Sequence, residues 1–292
     1  MKLKSIALLT AIFFISCEKN GKKKKETFPI KEQQTWQLAA KVKGLSQPEG
    51  ITFDPARNVL FISNQNDKEA GFISKMSPDG KLIAKEWVNG LANPKGIEIV
   101  GNKLYVSDDG VLIEIAIDEA KIVNQYKAKD AKLLNDVTSD VNGTIYVSDM
   151  LASAIYKLDT LGNFTKWLED PKLEFPNGLL VKDKDLYVAA WGEIPNEKPM
   201  EAQQGNVLKV SLSDKSITKV STKKVGNLDG IQSYENGFLL SDWMNGAIYH
   251  FTNHTPHLLF TSSKGSGDIA YANEKIYIPM ALEGEALIYH KK

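Results

Sequence analysis

The 292-residue chain is poor in the residues that mark several common kinds of site. It contains one cysteine, Cys17, and four histidines. A single cysteine excludes an intramolecular disulfide framework, a CxxC redox pair and a thiolate metal cluster. The sequence also lacks a GxSxG elbow, a Walker loop, an HExxH pair and a dinucleotide fingerprint. Serine, nucleotide and zinc mechanisms of the familiar types are therefore not expected.

Excess positive charge is also missing from most of the chain. The formal net charge is zero, but seven of the 36 basic residues and only one of the 36 acidic residues lie in the first 25 positions. The remaining chain carries a net charge of about −6, which argues against a face that binds polyanions. We expect no nucleic-acid partner.

The first residues, MKLKSIALLTAIFFISC, carry two lysines and then an apolar run that ends at Cys17. This pattern is typical of a bacterial export signal and is too short for a transmembrane helix. The ending FISC resembles a lipobox, which implies cleavage before Cys17 and a lipid anchor on its thiol; an ordinary signal peptide with an incidental cysteine is the alternative. Residues 18–34 are predicted to be a Lys-rich tether. The expected location is periplasmic or at the cell surface, attached to a membrane.

The rest of the chain, residues 35–292, repeats one pattern. Short β-type segments of one kind recur as LFISN, LYVSDD, IYVSDM, LYVAAW, FLLSDW and IYIPMA, starting at positions 60, 104, 145, 186, 238 and 276. A second type of segment follows each of them. Six units of roughly 40 to 50 residues with four short strands apiece match propeller blades. The sequence thus predicts an all-β, six-bladed β-propeller.

The last unit, which ends in EALIYHKK, is one strand short, whereas TWQLAAKV at 35–42 is a spare strand. If that segment supplies the outer strand of the last blade, the ring closes and has no free edge. We predict this closure.

Polar side chains recur where each blade begins. In a propeller the first strand of every blade lines the central channel, so these positions should meet at its mouth. A glycine or an aspartate follows each of them, and glycine was expected to permit a tight turn there. The six positions are Glu49, Lys95, Asn135, Asn177, Asp229 and Gly267, and the residues that follow them are Gly50, Gly96, Asp136, Gly178, Gly230 and Asp268.

A glutamate, two asparagines and an aspartate offer only oxygen ligands. Such a set suits Ca²⁺, which takes about six to eight oxygens, better than zinc, which prefers nitrogen and sulfur. None of the histidines lies at a blade start: His250 and His290 are placed on outer strands, and His254 and His257 in a turn. The histidines are therefore interpreted as structural or surface residues.

The segments PEGI, LLND, PNGL and LDGI, with Glu49, Asn135, Asn177 and Asp229, resemble the metal-ligand set of the SMP-30/gluconolactonase/LRE-like family and its relative diisopropyl fluorophosphatase. The resemblance covers the whole predicted propeller. It implies that Glu49, Asn177 and Asp229 hold Ca²⁺ or another divalent ion (Mg²⁺, Mn²⁺ or Zn²⁺), with Asn135 as a ligand or substrate contact. It further implies hydrolysis of a lactone or related ester, with Asp229 as the catalytic base or nucleophile.

Two positions depart from that family. Sugar lactonases of the family typically have an arginine two residues before the first asparagine, where this chain has Leu133. Lys95 also brings a cation into the ring. It should repel a metal unless Asp136 or Asp268 neutralises it; alternatively, it binds an anionic group of the substrate.

The segment 191–206 is the longest connection between second and third strands. It should lie on the same face as the blade starts, so Trp191 and Glu193 are candidate substrate contacts; a solvated insertion is the alternative.

Other recurring residues are interpreted as structural. Asp108, Asp149 and Asp242 should accept backbone hydrogen bonds in turns, with Asp149 retained as a possible support for the site. Trp87, Trp167 and Trp243 are expected to pack between blades.

The repeats also resemble NHL-type propellers, which bind a protein or glycan partner without catalysis. In that alternative, the polar blade starts only satisfy the channel mouth or hold a structural ion. Generic repeats would carry similar residues at all six positions, whereas here the six differ. The hydrolase is therefore the favoured interpretation.

Overall fold

The computed structural model describes residues 35–66 and 69–292. The predicted export signal, Cys17 and the predicted tether lie outside the described residues. Within the described part of the chain, no helix has the length and apolar character needed to cross a membrane.

Twenty-four strands form six separate four-stranded antiparallel sheets, which confirms the six-bladed propeller. The chain begins with β1 (Trp36–Lys43), which belongs to the last blade. The first three blades follow it in chain order, each numbered from the channel outward. Blade 1 consists of β2 (Pro48–Asp54), β3 (Val59–Asn64), β4 (Gly71–Met76) and β5 (Leu82–Leu91); blade 2 of β6 (Pro94–Val100), β7 (Lys103–Asp108), β8 (Val111–Ala116) and β9 (Lys121–Lys127); blade 3 of β10 (Leu134–Ser139), β11 (Ile145–Asp149), β12 (Ala154–Leu158) and β13 (Phe164–Glu169).

The second half of the ring repeats the arrangement. Blade 4 consists of β14 (Pro176–Lys182), β15 (Asp185–Ala190), β16 (Val207–Ser211) and β17 (Ile217–Lys219); blade 5 of β18 (Leu228–Tyr234), β19 (Gly237–Asp242), β20 (Ala247–Thr252) and β21 (Thr255–Thr261); blade 6 of β22 (Ala270–Ala272), β23 (Lys275–Met280), β24 (Glu285–Lys291) and β1. Three short 3-10 turns complete the described structure: Pro171–Leu173, Pro195–Glu197 and Pro199–Glu201.

The predicted closure of the ring is confirmed. Strand β1 pairs antiparallel with β24, from Trp36 opposite Lys291 to Lys43 opposite Glu285. This pairing completes the sixth blade and leaves the sheet with no missing outer strand, as the spare N-terminal segment indicated.

The hydrophobic core lies between neighbouring blades. One cluster joins Phe61 and Ile73 of blade 1 to Ile97 and Val106 of blade 2, all at most 4% exposed. These alternating Ile, Val and Phe side chains stand on the two faces of each sheet, so every blade buries apolar surface against both neighbours. Packing between the faces of neighbouring blades therefore sets their spacing around the channel.

The glycines at the blade starts serve a purpose other than the one predicted. None of Gly50, Gly96, Gly178 and Gly230 has a positive φ, and all four lie within first strands, so the expected tight turn is wrong. A Cβ on Gly178 would lie 2.1 Å from the carbonyl oxygen of Asp229 in the next blade. Glycine is required because the first strands approach each other too closely for a side chain.

A β-bulge accompanies this close approach. The pairing of first and second strands shifts register between Pro48 and Ile51 in blade 1 and between Leu134 and Val137 in blade 3, with equivalent shifts in blades 2, 4 and 5. The predicted site residues of these five blades thus sit inside the bulges rather than in the loops before the strands. A bulge re-aims side chains, so the bulges determine which of these residues face the channel.

Two residues that recur at the ends of second strands hold the blade starts in place. Ser148 Oγ accepts a hydrogen bond from Asp136 N and donates one to Asn177 O, both 2.8 Å long, and so links blades 3 and 4. Ser241 links Gly230 N to Gly267 O in the same way. Asp149, which is fully buried, accepts from the backbone amides of Lys132 and Leu133. Asp108 and Asp242 also accept backbone amides, so these aspartates are structural.

Candidate functional site

The first strands bring the predicted site residues together at one end of the channel. A cavity of about 430 Å³, here called the upper cavity, opens there. Its lining includes all five polar residues of the predicted set: Glu49, Lys95, Asn135, Asn177 and Asp229. Each comes from a different blade, so the ring itself, and not a single loop, assembles the cluster.

The two carboxyl groups of the upper cavity are withdrawn from water. Glu49 and Asp229 are 6% and 5% exposed. Burial raises the pKa of Glu49 well above its usual range, and the negative charge of Asp229 raises it further. Burial likewise raises the pKa of Asp229, although a hydrogen bond from Asn177 Nδ2 to Asp229 Oδ2, 3.0 Å long, opposes the shift. The arrangement favours a bound cation, because two buried carboxylates repel each other without one.

One oxygen of this pair has no partner. Glu49 Oε2 is buried and accepts no hydrogen bond from any described residue. Buried polar atoms are almost always satisfied by protein, water or a ligand, so an unpaired carboxylate oxygen at a cavity wall indicates a place for a ligand.

Lys95 supplies a positive charge beside the pair. Its Nζ donates to Gln65 Oε1 over 3.0 Å, and its charge lowers the pKa of both Glu49 and Asp229. The two carboxylates expected to neutralise Lys95, Asp136 and Asp268, line a different cavity on the other side of the bulges. Lys95 therefore interacts electrostatically with Glu49 and Asp229 rather than with Asp136 and Asp268.

Asn135 and Asn177 differ in their surroundings. Asn177 Nδ2 donates to Asp229 Oδ2. Its Oδ1 remains an oxygen that can bind a cation or accept a hydrogen bond. Among the described residues, Asn135 Nδ2 donates only to the weak acceptor Met150 Sδ, at 3.7 Å. Asn135 therefore has the hydrogen-bonding capacity to meet a ligand.

The connection between β15 and β16 covers part of the upper cavity. Trp191 lines the cavity, is 4% exposed and donates its indole N–H to Pro199 O. Glu193, the other candidate contact from this segment, is exposed and does not line the cavity, so the structure does not place it there. Met200, from the same segment, does line the cavity and was not predicted. Both Met200 and Glu193 are exposed, so burial alone does not distinguish them.

Trp243 also corrects a prediction. Instead of packing only between blades, it lines the upper cavity with its ring centroid 5.9 Å from that of Trp191. Trp87 and Trp167 do pack between blades as expected, because they lie against the apolar clusters that join blades 1 and 2 and blades 3 and 4. Within their own blades they contact Phe61 and Tyr146. Trp243 follows directly after β19, where a side chain emerges at the channel mouth, and this position distinguishes it from the tryptophans on outer strands.

The candidate metal ligands of the upper cavity are not all acidic, so a search for clusters of acidic residues does not find them. Among the described residues, no group of three or more His, Cys, Asp or Glu side chains is placed to hold a metal. The upper cavity combines two carboxylates with two amides, and amide oxygens are ordinary ligands for Ca²⁺. The chemistry of the set fits a hard cation.

A second cavity, here called the lower cavity, occupies about 170 Å³ on the other side of the bulges. Its carboxyl groups are Glu98, Asp136 and Asp268. Asp136 accepts from the backbone amides of Val137 and Leu179, and Ser139 Oγ donates to Glu98 Oε1 over 2.7 Å. Burial raises the pKa of Glu98 to about 7.

The histidines lie away from both cavities. His250 and His290 are on third strands, and His257 lies on β21 rather than in the predicted turn. All four are outside the residues that line the upper cavity, so the chemistry available there is carboxylate, amide and ammonium chemistry.

No family model and no curated protein matches the chain. Solved structures do match in fold. Selenomethionine-substituted virginiamycin B lyase from Staphylococcus aureus has a TM-score of 0.62 at 14% identity, covering 87% of this chain and 99% of the lyase. A streptogramin B lyase has a TM-score of 0.62 at 11% identity, covering 88% and 98%. A catalytically inactive histidine-to-alanine variant of the Staphylococcus aureus lyase with quinupristin has a TM-score of 0.58 at 14% identity, covering 87% and 99%. The chain shares the propeller fold of these lyases over their whole length.

Proposed function

We propose that the protein is a divalent-metal-dependent hydrolase of a lactone or related ester, of the SMP-30/gluconolactonase type. The observation that carries the proposal is the unpartnered, buried Glu49 Oε2 beside Asp229 in the upper cavity. Ca²⁺ is the favoured ion because all candidate ligands are oxygens. Glu49, Asn177 and Asp229 would hold the ion, with Asn135 as a further ligand or a substrate contact.

The ion, when bound, supplies Lewis-acid stabilisation to the oxygen of the reacting carbonyl. The residues supply the rest. Asp229 accepts a proton from the attacking water as the water oxygen bonds to the carbonyl carbon. The carbon–oxygen bond to the leaving alcohol then breaks, and the proton returns to the alkoxide, so the products are an acid and an alcohol. The alternative, direct attack by the Asp229 carboxylate, uses the same position.

Asn177 positions this carboxylate. Its 3.0 Å hydrogen bond to Asp229 Oδ2 fixes one oxygen and leaves Oδ1 for the proton transfer. Asn135, whose amide donates to the weak acceptor Met150 Sδ, would donate to a substrate oxygen. Lys95 attracts the carboxylate product or an anionic substituent by its charge.

The catalytic mechanism of the structurally similar lyases is not carried over to this chain. One of them is inactivated by replacing a histidine, whereas no histidine of this chain lines the upper cavity. A carboxylate base is therefore proposed in place of an imidazole.

The alternative function is a non-catalytic NHL-like scaffold for a protein or glycan. The predicted lipid anchor on Cys17 and the periplasmic or surface location are compatible with both functions and remain part of the proposal.

The test is calcium titration calorimetry on the purified protein alongside Glu49→Gln. We expect one site per chain and loss of binding in the variant, because the amide removes an anionic ligand. Glu98→Gln, which changes a carboxyl group of the lower cavity, is the matched control and should bind as the unmodified protein does. If Ca²⁺, Mg²⁺, Mn²⁺ and Zn²⁺ all fail to bind, the scaffold function replaces the hydrolase.

A further inference from the structure

The walls of the upper cavity differ in chemistry from one side to the other. Glu49, Asn177 and Asp229, which come from first strands, are here called the polar floor of the cavity. The side formed by blades 3, 4 and 5 is apolar. It presents Leu133, Met150, Leu151, Trp191, Met200 and Trp243. The side formed by blades 1 and 2 presents Gln47, Gln65 and Lys95. A ligand that fills the cavity therefore contacts an apolar surface on one side and amide and ammonium groups on the other.

The apolar side is a built surface rather than scattered residues. Met150, Trp191 and Ile194 form a buried cluster, and Leu133, Leu151 and Trp243 pack against it. Because these side chains support each other, the wall keeps its shape when no ligand is present. A preformed apolar wall binds an apolar group without the cost of ordering it.

The rim continues the same character. Met200 is 50% exposed and Leu282, from blade 6, is 61% exposed, and both line the cavity. Large apolar side chains left in water at the edge of a cavity extend the surface that a ligand can bury. Their position shows that the apolar track runs from the polar floor outward.

The polar floor fixes the orientation of such a ligand. Glu49, Asn177 and Asp229 form it, and Lys95 with Gln65 comes from blades 1 and 2, across the ring from the apolar wall. A hydrolysable carbonyl must reach the carboxylates, while an apolar substituent is stable only along blades 3 to 5. A polyhydroxylated substituent would lose its water there without gaining hydrogen bonds.

We propose that the substrates are esters or lactones that carry an apolar alkyl or aryl acyl group, and not sugar lactones. The apolar group lies on the wall of Leu133, Leu151, Trp191 and Trp243, and the carbonyl lies at the floor. Leu133 is a specificity-determining residue, because it lines the cavity and packs against the buried cluster of the apolar wall. This inference rests on the proposed hydrolase function.

The kinetic test uses p-nitrophenyl esters of acetate, butanoate, hexanoate and octanoate in the presence of Ca²⁺, with gluconolactone as the polyhydroxylated comparison. The leaving group is constant, so only the acyl chain varies. We expect kcat/KM to rise up to about fourfold for each added methylene until the wall is covered. Gluconolactone should be the poorest substrate. Equal kcat/KM along the ester series, or a preference for gluconolactone, would overturn the inference.

Variants locate the effect. Leu133→Gln should flatten the dependence of kcat/KM on acyl chain length, because it replaces an apolar side chain of the wall with an amide. The matched control is Leu161→Gln, a leucine that is 86% exposed on blade 3 outside the cavity. A control variant that flattened the series equally would contradict the role of the wall.

A binding measurement separates this inference from the proposed function. Titration calorimetry with butanoate, hexanoate and octanoate should show tighter binding with each added methylene in the unmodified protein and a weaker dependence in Leu133→Gln. Chain-dependent binding without turnover of any ester would uphold the apolar ligand class and overturn the hydrolase. Turnover combined with binding that is independent of chain length would do the reverse.

Discussion

The upper and lower cavities are lined by the same first strands, yet their carboxyl groups differ in how fully they are hydrogen-bonded by the protein. In the lower cavity, Asp136 accepts two backbone amides and Glu98 accepts the Ser139 hydroxyl. In the upper cavity, Glu49 Oε2 is buried with no partner among the described residues. The protein satisfies the lower carboxyl groups itself and leaves the upper one to be satisfied by something else.

The bulges account for this division. Asn135 and Asp136 are adjacent in the chain, but the first lines the upper cavity and the second the lower. A bulge interrupts the regular pairing and re-aims the side chains within it, so residues that are adjacent in the chain face different cavities. The same few residues thus provide a ligand site on one side and a hydrogen-bonded support on the other.

The largest expected effect distinguishes the two cavities by activity. Asp229→Asn should lower kcat/KM for a hydrolysable ester by about 10²- to 10⁴-fold, because a general base is lost. Asp268→Asn, a carboxyl group of the lower cavity, should retain activity within about threefold. Both variants are compared at saturating Ca²⁺ after their far-UV circular dichroism is shown to match. Equal losses would show that the division between the cavities is wrong.

A second prediction concerns a carboxyl group near the upper cavity that is satisfied by the protein. Asp149→Ala removes an acceptor from the amides of Lys132 and Leu133. We expect a loss of about 2 to 3 kcal/mol in the free energy of unfolding, measured by urea titration.

The control for that loss is Asp140→Ala, which removes an acceptor of two amides in a hairpin turn. Water can replace the lost acceptor there, so the loss should stay below about 1 kcal/mol. A wild-type stability for Asp149→Ala would exclude the assigned structural role.

The smallest effect is a pH dependence that originates in the lower cavity. Burial raises the pKa of Glu98 to about 7 from its ordinary 4.5. Its favourable contribution is complete below pH 4.5 and is lost as the pH rises through 7, because the folded state holds the proton longer than the unfolded chain. Glu98→Gln should therefore unfold with a free energy higher by on the order of 1 kcal/mol at pH 8, reduced by its partial exposure, and unchanged at pH 4. A gain of the same size at both pH values would refute the assignment.

The fold could be predicted from the sequence because each blade corresponds to a short repeat of contiguous residues. The alternating strands, the glycines at blade starts and the missing strand of the last unit each have a direct counterpart in the six sheets. The meeting of Glu49, Asn135, Asn177 and Asp229 followed from the ring alone, since identical positions in a ring must face its axis.

Other features depend on packing that no single segment encodes. The local sequence around the glycines suggests turns. The constraint that requires glycine is the approach of Gly178 to Asp229 in the next blade, and a contact between distant segments leaves no trace in either local sequence. Glu193 and Trp243 were misplaced because the direction of a side chain in a loop depends on the cluster against which it packs. The pairing of Lys95 with Gln65 likewise joins two blades and could not be read from either.

The pairing of β1 with β24 has a consequence for how the molecule is made. The two strands are separated by more than 240 residues in the chain, yet they are hydrogen-bonded neighbours. During synthesis from the N-terminus, β1 emerges first and has no partner in its own sheet until the last residues follow. An unpaired strand edge invites association with other chains. The interval between the synthesis of the first and last strands is thus a period in which the unpaired edge of β1 can associate with other chains.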